Sequence, residues 1–63
     1  MGAKIKEIRE NLGWTQEELA ERSGVTRVTI SLIESGRTKN VMSGTIKAIA
    51  NALGVPVDAF FCA

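Results

Sequence analysis

The chain has 63 residues, with 8 basic and 7 acidic side chains (net charge +1), one cysteine (Cys62) and no histidine. At this length one domain is expected, spanning residues 1–63 and burying a modest fraction of its surface; with a lone cysteine and no histidine it has no internal disulfide and no histidine-containing metal set to brace it, and neither a metal nor a cofactor is expected. No apolar run approaches membrane-spanning length, the start Met1-Gly2-Ala3-Lys4 lacks the apolar stretch of a secretory signal, and a single thiol suits a reducing compartment, so the expected location is the cytoplasm.

From Ala3 to Leu12, the apolar residues Ile5, Ile8 and Leu12 recur at helical spacing among Lys4, Lys6, Glu7, Arg9 and Glu10. This pattern predicts an amphipathic first helix ending before Gly13. Thr15 then heads the run Gln16-Glu17-Glu18-Leu19. Its hydroxyl is placed to cap a second helix, Glu18 three residues on can complete a capping box, and Trp14 with Leu19 fits a hydrophobic staple. Glu17 and Glu18 also lie in the first turn, where negative charge complements the helix dipole, and the helix is expected to run to about Ser23. Gly24 supplies the positive φ of a tight turn, and Thr26 follows as a second cap.

Between Thr26 and Ser35, Thr26, Val28, Ile30 and Leu32 alternate with Arg27, Thr29 and Ser31, which is also the pattern of a β-strand. A single strand has no pairing partner in this chain, and cap signals flank the segment, so a third helix is predicted, with Gly36 just beyond it. Residues Gly36 to Gly44 show little periodicity and read as a loop. Ile46, Ile49, Ala50 and Leu53 mark one face of a fourth helix, with Gly54 as its C-terminal cap, and Pro56 opens a short fifth helix through Phe60. The predicted fold class is all-α: a compact bundle of five short helices.

Charge is unevenly distributed. Glu17, Glu18 and Glu21 cluster in one segment, whereas from Ser35 to Lys47 the only charged residues are Arg37, Lys39 and Lys47. No histidine is present to serve as a general base, and no glycine-rich phosphate loop is present, so enzymatic activity is not expected.

Leu19, Ala20, Gly24, Val25, Ile30 and Ile33 form a spaced set: a small residue where two helices cross, a turn glycine, then apolar positions packing the second helix on the first. Adding Gln16-Glu17-Glu18-Leu19-Ala20, Gly24-Val25-Thr26, Glu34-Ser35-Gly36-Arg37 and Ala52-Leu53-Gly54-Val55, the chain resembles, over nearly its whole length, the lambda-repressor and Cro-like family of XRE-type helix-turn-helix regulators. The resemblance puts the helix-turn-helix at about residues 16–35. It implies a sequence-specific regulator of transcription that binds double-stranded DNA in the major groove, by default a repressor, recognising a pseudo-palindromic operator as a weak or DNA-dependent homodimer.

Within that resemblance, Thr26 to Ser35 corresponds to the recognition helix. At about 100° per residue, Arg27, Val28, Ser31 and Leu32 share one arc, and Ile30 and Ile33 lie on the opposite one. The donor fork of Arg27 matches guanine O6 and N7, while Val28 and Leu32, having no hydrogen-bonding groups, match the methyl group of thymine. The resemblance further implies phosphate contacts from Gln16, Thr26, Arg37, Thr38 and Lys39, and a structural ion pair between Arg9 and Glu34. Val57, Phe60 and Phe61 form an apolar C-terminal end that either completes the core or faces a twin subunit. The alternative reading is a protein-interaction or antitoxin-like module of the same fold, with Val28 and Leu32 turned towards a protein partner.

Overall fold

The computed structural model describes residues 1–38 and 41–61. Four α-helices follow one another, α1 (Gly2–Asn11), α2 (Gln16–Ser23), α3 (Arg27–Glu34) and α4 (Ser43–Leu53), and a 3-10 helix spans Val57–Phe60. The described residues therefore hold four α-helices, and the fifth helix expected from Pro56 to Phe60 is corrected to this four-residue 3-10 turn. Pro56 stands outside it as the cap, and the turn closes with i→i+3 bonds, Ala59 N to Pro56 O at 3.0 Å and Phe61 N to Asp58 O at 3.1 Å. Tighter bonding of this kind suits a segment too short for successive α-turns.

The helix ends follow local chemistry. Thr15 Oγ1 accepts from Glu18 N at 3.1 Å, as a cap should, but the reciprocal half of the capping box is not made. The Glu18 carboxylate instead takes Arg22 Nε at 2.8 Å, and the Arg22 guanidinium lies over the Trp14 ring, 4.5 Å from its centroid. The helix α4 begins at Ser43, so Ser43 and Gly44 belong to its first turn and not to the preceding loop. Its N-cap, Met42, has no capping side chain, and the turn closes through the Met42 carbonyl alone, which accepts from Thr45 N and Ile46 N at 3.0 and 3.1 Å.

The sharp connection from α2 to α3 depends on Gly24, whose φ of 74° lies in the left-handed region that a side chain disfavours. Its N–H donates to Ala20 O at 2.9 Å, the single bond of an αL helix ending. The Ser23 hydroxyl donates to Leu19 O at 2.6 Å and accepts from Val25 N at 3.2 Å, holding the turn from its other side. Thr26 then caps α3, its Oγ1 accepting from Thr29 N at 3.3 Å. The strand-like alternation in α3 is overridden by packing: Ile30 and Ile33 are both buried, and residues three apart share a face on a helix but not on a strand.

Every element contributes to one core: Ile5 from α1, Leu19 from α2, Ile30 and Ile33 from α3, Ile49, Ala50 and Leu53 from α4, and Phe60 from the 3-10 helix. The α2 helix packs on α3 and α4, while α1 packs on α3 and on the 3-10 helix, which also touches α4. The α1–α3 contact is close at Gly2, where a Cβ would fall on the carbonyl oxygen of Ile33.

Phe60 is 2% exposed and Phe61 is 61% exposed. Phe60 is thus a core residue, which removes it from the three apolar residues considered for a dimer interface. Truncating it in Phe60→Ala should cost about 3–5 kcal/mol, against a total of about 3–9 kcal/mol for a domain this size. Urea unfolding followed by circular dichroism should show the midpoint of that variant displaced to much lower urea, whereas Phe61→Ala should shift stability by less than about 0.5 kcal/mol.

Candidate nucleic-acid interface

Packing of Ile30 and Ile33 inward leaves the opposite arc of α3 in solvent. Arg27, Val28, Ser31 and Leu32 are all exposed, Val28 at 68% and Leu32 at 40%. The four residues selected from helical geometry therefore form one continuous outer surface.

The end of α3 carries Arg37 to the same region. Gly36 adopts a φ of 73°, its N–H donates to Ile33 O at 3.1 Å, and Arg37 N donates to Leu32 O at 3.1 Å. These are the two bonds of a Schellman ending, and they tie the backbone of Arg37 to the last turn of α3 while its side chain stays exposed. Thr38 lines, with Thr29, Leu32, Met42 and Thr45, a groove of about 270 Å³ between α3 and the start of α4. The Thr26 hydroxyl is engaged locally, donating to Thr29 Oγ1 at 2.9 Å as well as capping. Lys39, also selected as a phosphate contact, lies outside the described residues.

Behind this surface sits the Arg9–Glu34 pair, with side chains 9% and 4% exposed. Arg9 Nε donates to Glu34 Oε2 at 2.8 Å and a second guanidinium nitrogen, Nη2, donates to Oε1 at 3.0 Å, a bidentate fork. The third nitrogen, Nη1, donates to the Trp14 carbonyl at 2.6 Å, and Gln16 Nε2 donates to Glu34 Oε1 at 3.2 Å. Among the described residues no buried side-chain nitrogen or oxygen lacks a hydrogen-bond partner. Donation of its hydrogen bonds to Glu34 raises the pKa of Arg9 above its ordinary value, against the opposing pull of burial and with further help from the charges of Glu34 and Glu10. Its stabilising charge is present at every pH below the ordinary arginine value and is lost only as pH climbs through the raised one.

The pair has an electrostatic consequence for the outer face. Glu34 is the sole carboxylate between Thr26 and Lys47, and its charge is neutralised internally by Arg9. Arg27, Arg37, Lys39 and Lys47 are the remaining charges of that stretch, so its field is positive.

Gln16 is thus held by Glu34 through one amide hydrogen, which orients its side chain at the edge of α3. It lines a cleft of about 360 Å³ together with Lys6, Arg9, Ser31, Glu34 and Ser35. Lys6 was not singled out from the sequence; the signal that could have found it is its i,i+3 spacing from Arg9, which puts both on one stripe of α1. On another side of the molecule, Val57 and Phe61 meet Ser43, Ile46 and Lys47 around a cleft of about 370 Å³. The first turn of α4 separates this cleft from the groove beside α3. Among the described residues no cluster of three potential metal ligands occurs, and no helix is long and apolar enough to cross a membrane.

A family model described as helix-turn-helix matches residues 5–60. The chain belongs to the helix-turn-helix family. This bears out the lambda-repressor and Cro-like resemblance read from the sequence. An uncharacterised HTH-type transcriptional regulator of Methanothermobacter thermautotrophicus is 62% identical over 37 residues, covering 59% of this chain and 54% of that protein. The immunity repressor protein of Bacillus phage phi105 is 39% identical over 59 residues, covering 94% of this chain and 40% of the repressor. The helix-turn-helix chain spans about half the length, or less, of these relatives. Among solved structures, SinR, a master regulator for biofilm formation crystallised in complex with DNA, superposes with a TM-score of 0.89 at 30% identity, over 95% of this chain and 98% of that one.

Removing one partner of the buried pair strands the other charge. Arg9→Met and Glu34→Leu should each cost about 3–5 kcal/mol, and the double variant less than either single change. Urea denaturation of the four proteins measures the coupling; additive losses would show the two side chains acting independently.

Proposed function

We propose that this chain is a transcription regulator that binds duplex DNA by laying the outer face of α3 in the major groove, and that it represses by occupying an operator. The observation that carries the reading is the exposed arc Arg27, Val28, Ser31 and Leu32 on a fold that matches DNA-bound SinR over 95% of the chain. An α-helix fits the major groove, and the N-terminal residues of a recognition helix are the ones that reach base edges. Repression is supported by the phage phi105 relative, which is named an immunity repressor.

In this reading Arg27 donates to guanine, and Gln16, Thr26, Arg37, Thr38 and Lys39 hold the phosphate backbone on either side. Thr26 engages phosphate through the backbone at the start of α3, its hydroxyl proton being committed to Thr29. The 63 residues act as one binding domain whose work is occupancy, without chemistry on the DNA. The longest extent of the molecule is 23 Å, short of the ~34 Å turn that separates two half-sites. One copy therefore covers one half-site, and a pseudo-palindromic operator takes two, with Val57 and Phe61 available to meet across the two-fold on DNA.

Two substitutions on the exposed face separate base reading from backbone holding. Arg27→Ala should cost about 1–3 kcal/mol on the preferred duplex and relax the choice at one base pair. Arg37→Ala should weaken binding to all sequences alike and lower the log–log salt slope by about 0.9. Fluorescence anisotropy titrations on a selected and a scrambled duplex at several salt concentrations read both effects. Unchanged binding in both variants would show that this is not the DNA face.

A further inference from the structure

We infer that Val28 and Leu32 form a reader of the pyrimidine 5-methyl group, so that binding responds to methylation of cytosine at C5 as well as to the presence of thymine. The inference rests on the DNA-reading proposal above and specifies what part of the base that face recognises.

The packing requirement of α3 is met by Ile30 and Ile33, which are fully or almost fully buried. Val28 and Leu32 add nothing comparable to the core, being 68% and 40% exposed. They stand four residues apart, one above the other on the helix surface at about 5–6 Å between Cβ atoms. That spacing covers one to two steps of the ~3.4 Å base-pair rise. Arg27 adjoins them at the start of the helix and Arg37 at its end, and the one carboxylate of this stretch is taken up by Arg9.

A pair of apolar side chains flanked by the cations Arg27 and Arg37 is complementary to small apolar groups carried on a polyanion. In the major groove that description fits the C5-methyl of thymine. Neither Val28 nor Leu32 has a donor or acceptor, so neither distinguishes the O4 acceptor of thymine from the N4 donor of cytosine. The methyl group is what they contact, and 5-methylcytosine carries the same group on the same ring carbon. A cytosine at either position is therefore a poor partner until it is methylated.

The test starts from selection of bound fragments out of a randomised duplex pool by the full chain, followed by titration of the selected duplex with single thymines replaced by deoxyuridine, and with cytosine or 5-methylcytosine in the same places. Burying one methyl group is worth about fourfold in affinity. The expected result is a loss of about fourfold for uracil at each of two positions within a few base pairs, and a gain of about fourfold for 5-methylcytosine over cytosine there. Val28→Ala should abolish the methyl effect at one position and Leu32→Ala at the other, with the remaining position unaffected. A selected duplex whose affinity is indifferent to removal of its methyl groups overturns this inference and leaves the DNA-reading proposal standing. A pool yielding no bound duplex overturns both, and turns the exposed apolar pair towards a protein partner.

Discussion

The orientation of α3 depends on the Arg9–Glu34 pair. One guanidinium joins three parts of the chain: its own helix, the Trp14 carbonyl in the connection to α2, and the carboxylate at the end of α3. Gln16 adds the first turn of α2 through Glu34. An apolar contact at this point would bury comparable surface, but it is non-directional and would tolerate rotation of α3 about its axis. A bidentate ion pair with fixed fork geometry does not. Because the arc of Arg27, Val28, Ser31 and Leu32 is turned fully outward only at one rotation of that helix, the pair is where the fold sets the orientation of the proposed reading face. The close approach of Gly2 to Ile33 supports the same α1–α3 contact from the other end of α1.

The short helix α3 works on both of its faces. Ile30 and Ile33 hold it to the core, and its ends are set by backbone chemistry: Thr26 capping the first turn, the Schellman bonds of Gly36 and Arg37 closing the last. The αL ending at Gly24 brings Val25 onto the core and Thr26 into position within two residues. Charge follows from the same arrangement. Pairing of Glu34 with Arg9 leaves only basic residues as the remaining charges between Thr26 and Lys47, in a chain with a net charge of only +1. For a nucleic-acid partner, local field matters more than the sum over the molecule.

Features decided by neighbouring residues were legible in the sequence. The start of α2 is set by Thr15, its end by Gly24, and the two arcs of α3 by helical geometry, and each appears where the residues imply. The Arg9–Glu34 pair spans 25 positions; no local pattern links the two, and only the family resemblance brought them together. Where several local outcomes were open, the surroundings chose. Glu18 could cap the backbone or pair with Arg22, and the Trp14 ring under the guanidinium favours the pair. The start of α4 has no capping side chain at Met42, and so left no mark to read. Phe60 and Phe61 are adjacent and chemically identical. The 3-10 turn alone sends one into the core and the other into solvent. Lys6 acquires a place beside Gln16 and Ser31 only once α1 has been docked against α3.

The outer face of α3, held in register by Arg9 and Glu34, is the surface we propose for duplex DNA. Backbone amide NMR shifts of the labelled chain, followed as duplex is added to saturation, test it most directly. The largest changes are expected at residues 26–32, at Arg37 and Thr38, and at Gln16, with Ile5, Leu19 and Ile49 in the core moving little. Saturable binding that leaves the α3 amides unmoved, with the changes elsewhere, would contradict it.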